Sequence, residues 1–178
     1  WFKLSAVSAP SAPAPAPRSP FNGSPLHVPT LGATIEAERF DQGAAGVTYN
    51  DTTAGNSGGV YRSTNVDIQG CSEGGYNVGW TKAGEWLEYT IDVASAGTYE
   101  LALRVASPAA GAHMRVLFGG TDCTGSISVP NTGDWQRWQT ITRNVTLSAG
   151  QQVMRVAFDA AATNGSAGNL NWIRLRKV

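Results

Sequence analysis

Charge is scarce in this sequence. Only 15% of its 178 residues are Asp, Glu, Lys or Arg, and 13 basic side chains balance 13 acidic ones. Without net charge or a basic patch, nucleic acid and anionic membrane are poor partners. No apolar run approaches the ~20 residues of a spanning helix. The first residues lack the basic stretch and apolar core of a signal peptide, so the signal of a secreted protein is expected upstream of Trp1. The two histidines, His27 and His113, stand apart. No Ser/His/Asp or Cys/His grouping suggests a nucleophilic enzyme. Cysteine occurs only twice, as Cys71 and Cys123, each in Gly/Ser/Thr-rich loop sequence. Free thiols are uncommon on exposed loops of extracellular proteins, so a Cys71–Cys123 disulfide is expected. It would close a loop of about 50 residues, worth roughly 4 kcal/mol in the chain-entropy view.

Helical periodicity is also missing. In its place are 21 glycines and short alternating segments separated by turns. Glu85–Val93 alternates cleanly, with Leu87, Tyr89, Ile91 and Val93 on one face and Glu88, Thr90 and Asp92 on the other. Tyr99–Val105, Met114–Phe118, Ser126–Val129, Trp138–Leu147, Gln152–Phe158 and Leu170–Leu175 read as further strands. Ile35–Phe40 alternates as well and is expected to open the first strand. Strands of this spacing indicate an all-β fold, an antiparallel β-sandwich or jelly roll.

Residues 5–32 contain a Pro/Ala/Ser tract, Ala9–Pro17, without periodicity. This composition suits an extended, semi-rigid linker. Residues 1–4, Trp-Phe-Lys-Leu, echo Trp172-Ile173-Arg174-Leu175 and read as the end of a preceding module. The globular domain is expected over 33–178.

Three loop residues stand out. Trp80 lies among glycines before one strand, Trp135 lies in a loop before another, and Asn169 opens the last strand. Loops gather at the ends of a sandwich, so the three can converge. Two aromatic faces with an amide between them suit a sugar ring: its C–H face packs on the indole, and the amide pairs with hydroxyls. The same tryptophans can equally cap the core. Glu85 at the rim, with Tyr76 and Asn77 in the neighbouring loop, are further candidates for lining such a site. Glu36 and Glu38, two residues apart on an expected strand face, repel unless a cation or an arginine lies between them. Oxygen ligands of this kind suit Ca²⁺.

Four segments carry a resemblance over 33–178: Ile35-Glu36-Ala37-Glu38; Val78-Gly79-Trp80 with Gly84-Glu85-Trp86-Leu87; Thr132-Gly133-Asp134-Trp135; and Asn169-Leu170-Asn171-Trp172-Ile173. In this order they resemble a family 6 carbohydrate-binding module. The resemblance implies a β-jelly roll appended to polysaccharide-degrading enzymes, with its main site in loops at one end. It implies that Trp80 and Trp135 sandwich a sugar and that Asn169 hydrogen-bonds it. It also implies a structural calcium held by Glu36 and Glu38, by a backbone carbonyl near Arg62, and by a C-terminal acidic residue. That last position is the neutral Asn171 here, which lowers the charge of the site.

The function expected is non-catalytic binding of polysaccharide or oligosaccharide, raising the local concentration of a covalently linked upstream glycoside hydrolase. A secreted monomer is expected. The wording around Trp80 and Trp86 resembles modules attached to β-1,3-glucanases and agarases, so laminarin-type glucan or agarose leads, with xylan and cello-oligosaccharides as alternatives. Two other classes remain: a catalytic jelly roll using Glu85, Glu88 and Asp134 as a carboxylate pair, and a protein-adhesion module. Some relatives of this type bind along the concave sheet face, for which Glu88, Arg104 and Arg155 are candidates.

Overall fold

The computed structural model describes residues 17–178. The expected preceding module (1–4) and the proline-rich part of the linker before residue 17 lie outside the described residues. The strands, in chain order, are β1 (Leu26–Val28), β2 (Ala33–Glu36), β3 (Tyr49–Asn50), β4 (Ile68–Gly70), β5 (Tyr76–Val78), β6 (Glu85–Val93), β7 (Gly97–Ala106), β8 (His113–Phe118), β9 (Thr121–Asp122), β10 (Ile127–Ser128), β11 (Gln139–Leu147), β12 (Gly150–Ala160) and β13 (Asn169–Lys177). One sheet runs β1-β6-β12-β8-β10, with β3 beside β6 and β9 beside β8. The other runs β11-β7-β13-β5-β4, with β2 beside β13. The strand pairs are antiparallel except β1 with β6, which is parallel.

The alternation of the long strands becomes the core. Leu87, Tyr89 and Ile91 of β6 face Leu101 and Leu103 of β7, Ile173 and Leu175 of β13, and their neighbours in one buried cluster. Tyr89 keeps its hydroxyl satisfied there by donating to the Ala37 carbonyl at 2.8 Å. On the opposite face of β6, Glu88 and Thr90 are buried too, while Asp92 stays half exposed. Between β1 and β3 the β6 backbone finds substitutes for a strand. Asp41 accepts from the Thr90 N–H at 2.9 Å and from its hydroxyl at 2.6 Å, and the Asp41 N–H donates to the Glu88 carbonyl at 2.8 Å.

The domain begins before Ala33. Val28 is fully buried, and Leu26, His27 and Val28 pair with Ile91, Asp92 and Val93. Ser19 and Gln42 exchange two backbone hydrogen bonds. Arg18 bridges Glu88 and Asp41 and donates to the Val47 carbonyl. Residues 18–28 therefore form a strap across the first sheet, not free linker. Composition hid this, because the holding groups come from residues far along the chain.

Two further expectations change. The first strand ends at Glu36, and Ala37–Arg39 turns as a short 3-10 helix. Glu36 and Glu38 thus leave the common strand face. The expected disulfide is absent: Cys71 and Cys123 are both free, half-buried thiols. Cys71 follows β4 in one sheet and Cys123 follows β9 in the other.

Candidate functional site

The sheet register brings the three loop residues together. Val78 of β5 pairs with Leu170 of β13, so the chain leaving β5 toward Trp80 passes Asn169. Ala106 of β7 pairs with Asn169, and Val105 with Gln139 of β11, which delivers the loop carrying Trp135 to the same end. Trp80, Trp135 and Asn169 line one cleft of about 260 Å³, with Gln69, Lys82, Gln136, Asn164 and Ser166. Trp80 and Trp135 are 44% and 38% exposed, unusual for residues of this size. Asn169, by contrast, is buried to 1%.

The cleft is held in place by its own backbone. Trp80 has φ +50°, a left-handed conformation that a bulky residue rarely adopts. Strain of this kind persists only where the surroundings impose it. Here the next residue, Thr81, donates its hydroxyl to the Gly168 carbonyl at 2.5 Å and accepts from the Ala167 N–H at 2.9 Å. Gly79 is needed for the close approach. A Cβ there would lie 3.1 Å from Asn169 Oδ1 and 3.2 Å from Gln69 Nε2. Asn169 Nδ2 donates to the Trp135 carbonyl at 2.8 Å, so one amide both lines the cleft and fixes the second tryptophan loop.

The other sequence candidates fall into different places. Asn77 is fully buried behind the cleft, accepting from Gln136 Nε2 at 3.0 Å. It supports the lining. Tyr76 packs against Tyr61, centroids 4.7 Å apart, outside the cleft lining. Glu85 is buried and both its oxygens are used: Oε1 accepts from the Thr52 N–H (2.9 Å) and hydroxyl (2.7 Å), and Oε2 from the Lys82 N–H (2.8 Å). It clamps the loops beside Trp80 and does not line the cleft. Glu88 is bound to Arg18 and Arg155, and Asp134 accepts from the Gln136 N–H at 2.9 Å. The structure does not bring Glu85, Glu88 and Asp134 together as a carboxylate pair in the cleft. Of the concave-face candidates, Glu88 and Arg155 pair on one sheet, while Arg104 binds Glu73 on the other. Gln69, Lys82, Gln136, Asn164 and Ser166 were not singled out from the sequence. Only Gln136, next to Trp135, and the polar loop before Asn169 gave a signal for them.

Of the oxygen donors expected for calcium, Glu38 is the one whose surroundings leave a carboxylate oxygen for a cation. Glu38 is 2% exposed, and its Oε2 has no partner. Burial, reinforced by the charge of Glu36, pushes its carboxyl up to about 7. A buried carboxylate oxygen left unpaired calls for a cation or a proton. The Arg62 carbonyl accepts one bond, from Asn56 at 3.0 Å, and Asn171 spends its Nδ2 on Glu73 at 3.1 Å, which leaves amide Oδ1 available. Among the described residues no cluster of three or more His, Cys, Asp or Glu forms a metal site, so a hard-cation site here relies on neutral oxygens as well.

Comparisons with known proteins agree with this fold. The C-terminal CBM6 of LamC, a marine laminarinase from Zobellia galactanivorans, superposes with a TM-score of 0.65 at 33% identity, covering 82% of this chain and 99% of that one. The module CBM6cm-2 from Cellvibrio mixtus lichenase 5A, in complex with cellotriose, gives a TM-score of 0.62 at 33% identity over 82% and 97% of the two chains. The clotting factor G alpha subunit of Tachypleus tridentatus is 34% identical over 122 residues, 66% of this chain and 17% of that protein. The chain spans a fifth or less of the length of the curated relatives it matches first. The family profile described as carbohydrate binding module (family 6) matches residues 36–177. That match covers most of the chain, and this chain belongs to family 6 of the carbohydrate-binding modules.

Proposed function

We propose that this module binds a β-1,3-glucan of laminarin type through the Trp80–Trp135–Asn169 cleft and serves an attached, secreted glycoside hydrolase. The observation that carries the reading is the cleft itself: two exposed indoles, a buried amide between their loops, and no carboxylate in the lining. Such a lining stacks on sugar and pairs with hydroxyls but lacks the carboxylate pair that glycoside hydrolysis uses. The 33% identity to a module of a laminarinase supports β-1,3-glucan, and the cellotriose-bound module at the same identity keeps cello-oligosaccharides as the second reading. Agarose and xylan complete the panel. Calcium at Glu36 and Glu38, with the Arg62 carbonyl and Asn171, is proposed as structural, distant in role from sugar recognition.

Carbohydrate competes with water for every hydroxyl, so a Kd on the order of micromolar to millimolar is expected. Titration calorimetry with laminari-, cello-, agaro- and xylo-oligosaccharides tests the ligand. Trp80→Ala and Trp135→Ala should each remove on the order of 1–3 kcal/mol of apolar contact and nearly abolish binding, with the circular-dichroism spectrum unchanged. Wild-type affinity in both variants would refute the cleft.

A further inference from the structure

The loop between β10 and β11 lines a second depression. Its face away from Trp80 forms an open cleft of about 510 Å³, walled by Asn131, Thr132, Gly133, Arg137, Trp138 and Gln139. Trp135 and Gln136, from the same loop, belong to the first cleft. One wall thus separates two depressions.

The wall is rigid. Ser72 donates its N–H to Gln136 Oε1 at 2.8 Å and its hydroxyl to the Gln136 carbonyl at 2.9 Å. The same hydroxyl accepts from Trp138 Nε1 at 3.1 Å. The indole therefore has its one polar group satisfied and presents only its carbon surface. Arg137 is different. Among the described residues it, like Arg39, makes no ion pair, side-chain hydrogen bond or cation–π contact, whereas Arg18, Arg104, Arg115 and Arg155 are each paired with carboxylates. Gly133, at φ +86°, has no side chain to screen it: a Cβ there would come within 3.8 Å of Arg137 Nη1. An unpaired planar fork beside a fixed aromatic surface suits an anionic group carried on a sugar ring. Nothing else in the lining is charged.

We infer that this second cleft is an accessory subsite for a sugar bearing an anionic substituent, a carboxylate or a sulfate ester, on the same glycan chain that the first cleft holds. Arg137 pairs with the anion and Trp138 stacks on the ring. The inference extends the carbohydrate-binding reading but does not depend on the glucan proposed above.

Two measurements test it on the full chain. In ¹⁵N NMR, D-glucuronate and glucose 6-sulfate should shift the Trp138 indole N–H and the Arg137 Nε–H, and glucose should not. Arg137→Ala should remove the effect at Trp138. Which acid shifts the signals identifies carboxylate or sulfate as the group taken. In calorimetry, chemically sulfated or carboxylated laminarin should bind about 5- to 20-fold more tightly than laminarin, a gain of the size an exposed charge-assisted contact gives. Arg137→Ala should abolish that gain while leaving laminarin affinity unchanged. Silence of both acids at Trp138, or a gain that survives in Arg137→Ala, overturns the subsite. If laminarin leaves the Trp80 and Trp135 signals unmoved, the glucan reading fails instead, and the monosaccharide titration still decides the subsite.

Discussion

At the scale of single residues, chemistry alone is ambiguous and position resolves it. Glu85 has the chemistry of a sugar-rim acceptor, yet its three bonds tie Thr52 and Lys82 together. Glu85→Ala should therefore cost about 1–3 kcal/mol of stability in urea unfolding. The affinity of the folded protein should fall far less than in Trp80→Ala. An unchanged midpoint would contradict the clamp role. Glu38 is the opposite case. Its folded-state pKa is raised from 4.5 to about 7, so the folded protein holds a proton that the unfolded chain gives up. In chelator, this component of stability is full below pH 4.5 and lost as pH rises through 7, about 2–4 kcal/mol by pH 8. Calcium binding only the native state would restore it by mass action. Urea melts of wild type and Glu38→Gln at pH 5 and pH 8, with chelator or calcium, check this. The same pH slope in both proteins, with no calcium response, would remove the ion from the account. Trp80 and Trp135 were legible in the sequence because large aromatic side chains in glycine-rich loops have no strand to serve, and Asn169 because it opens a strand directly after such a loop. Gln69 and Lys82 were not legible, since only the β4–β5 and β5–β13 pairings bring them to the cleft.

Among the elements, legibility followed length. β6, β7, β8, β12 and β13 alternate over six or more residues, long enough for a period of two to show. β1, β3, β5 and β9 have two or three residues each, too few for any pattern. Glu36-Ala37-Glu38-Arg39-Phe40 alternates and still turns into a 3-10 helix at Ala37–Arg39, where the Ala37 carbonyl accepts from the buried Tyr89 hydroxyl. The strap formed by residues 18–28 was hidden by the proline tract beside it. It can be tested directly. Arg18→Ala should cost about 1–3 kcal/mol, since Arg155 still pairs with Glu88. A chain starting at Ala33 should lose more, because Val28 leaves the core. Equal thermal midpoints for the shortened and full chains would show that the strap does not support the fold.

For the molecule as a whole, two sheets and one apolar cluster hold the fold without a covalent cross-link between Cys71 and Cys123. Alkylation under denaturing, non-reducing conditions should find two thiols per chain, and reductant should leave the melting temperature unchanged. A mass showing neither cysteine modified would contradict the separation of these residues on different sheets. The parallel pairing of β1 with β6 has a mechanical consequence. Tension applied to the chain ahead of residue 17 draws β1 along its own length past β6. The ladder bonds of Leu26–Val28 then bear the load together, in shear, instead of peeling apart one by one. The Arg18 ion pairs and the Ser19–Gln42 bridge, nearer the pulled end, meet that load first. A load applied ahead of residue 17 while the cleft is anchored would thus fall on a seam that resists sliding.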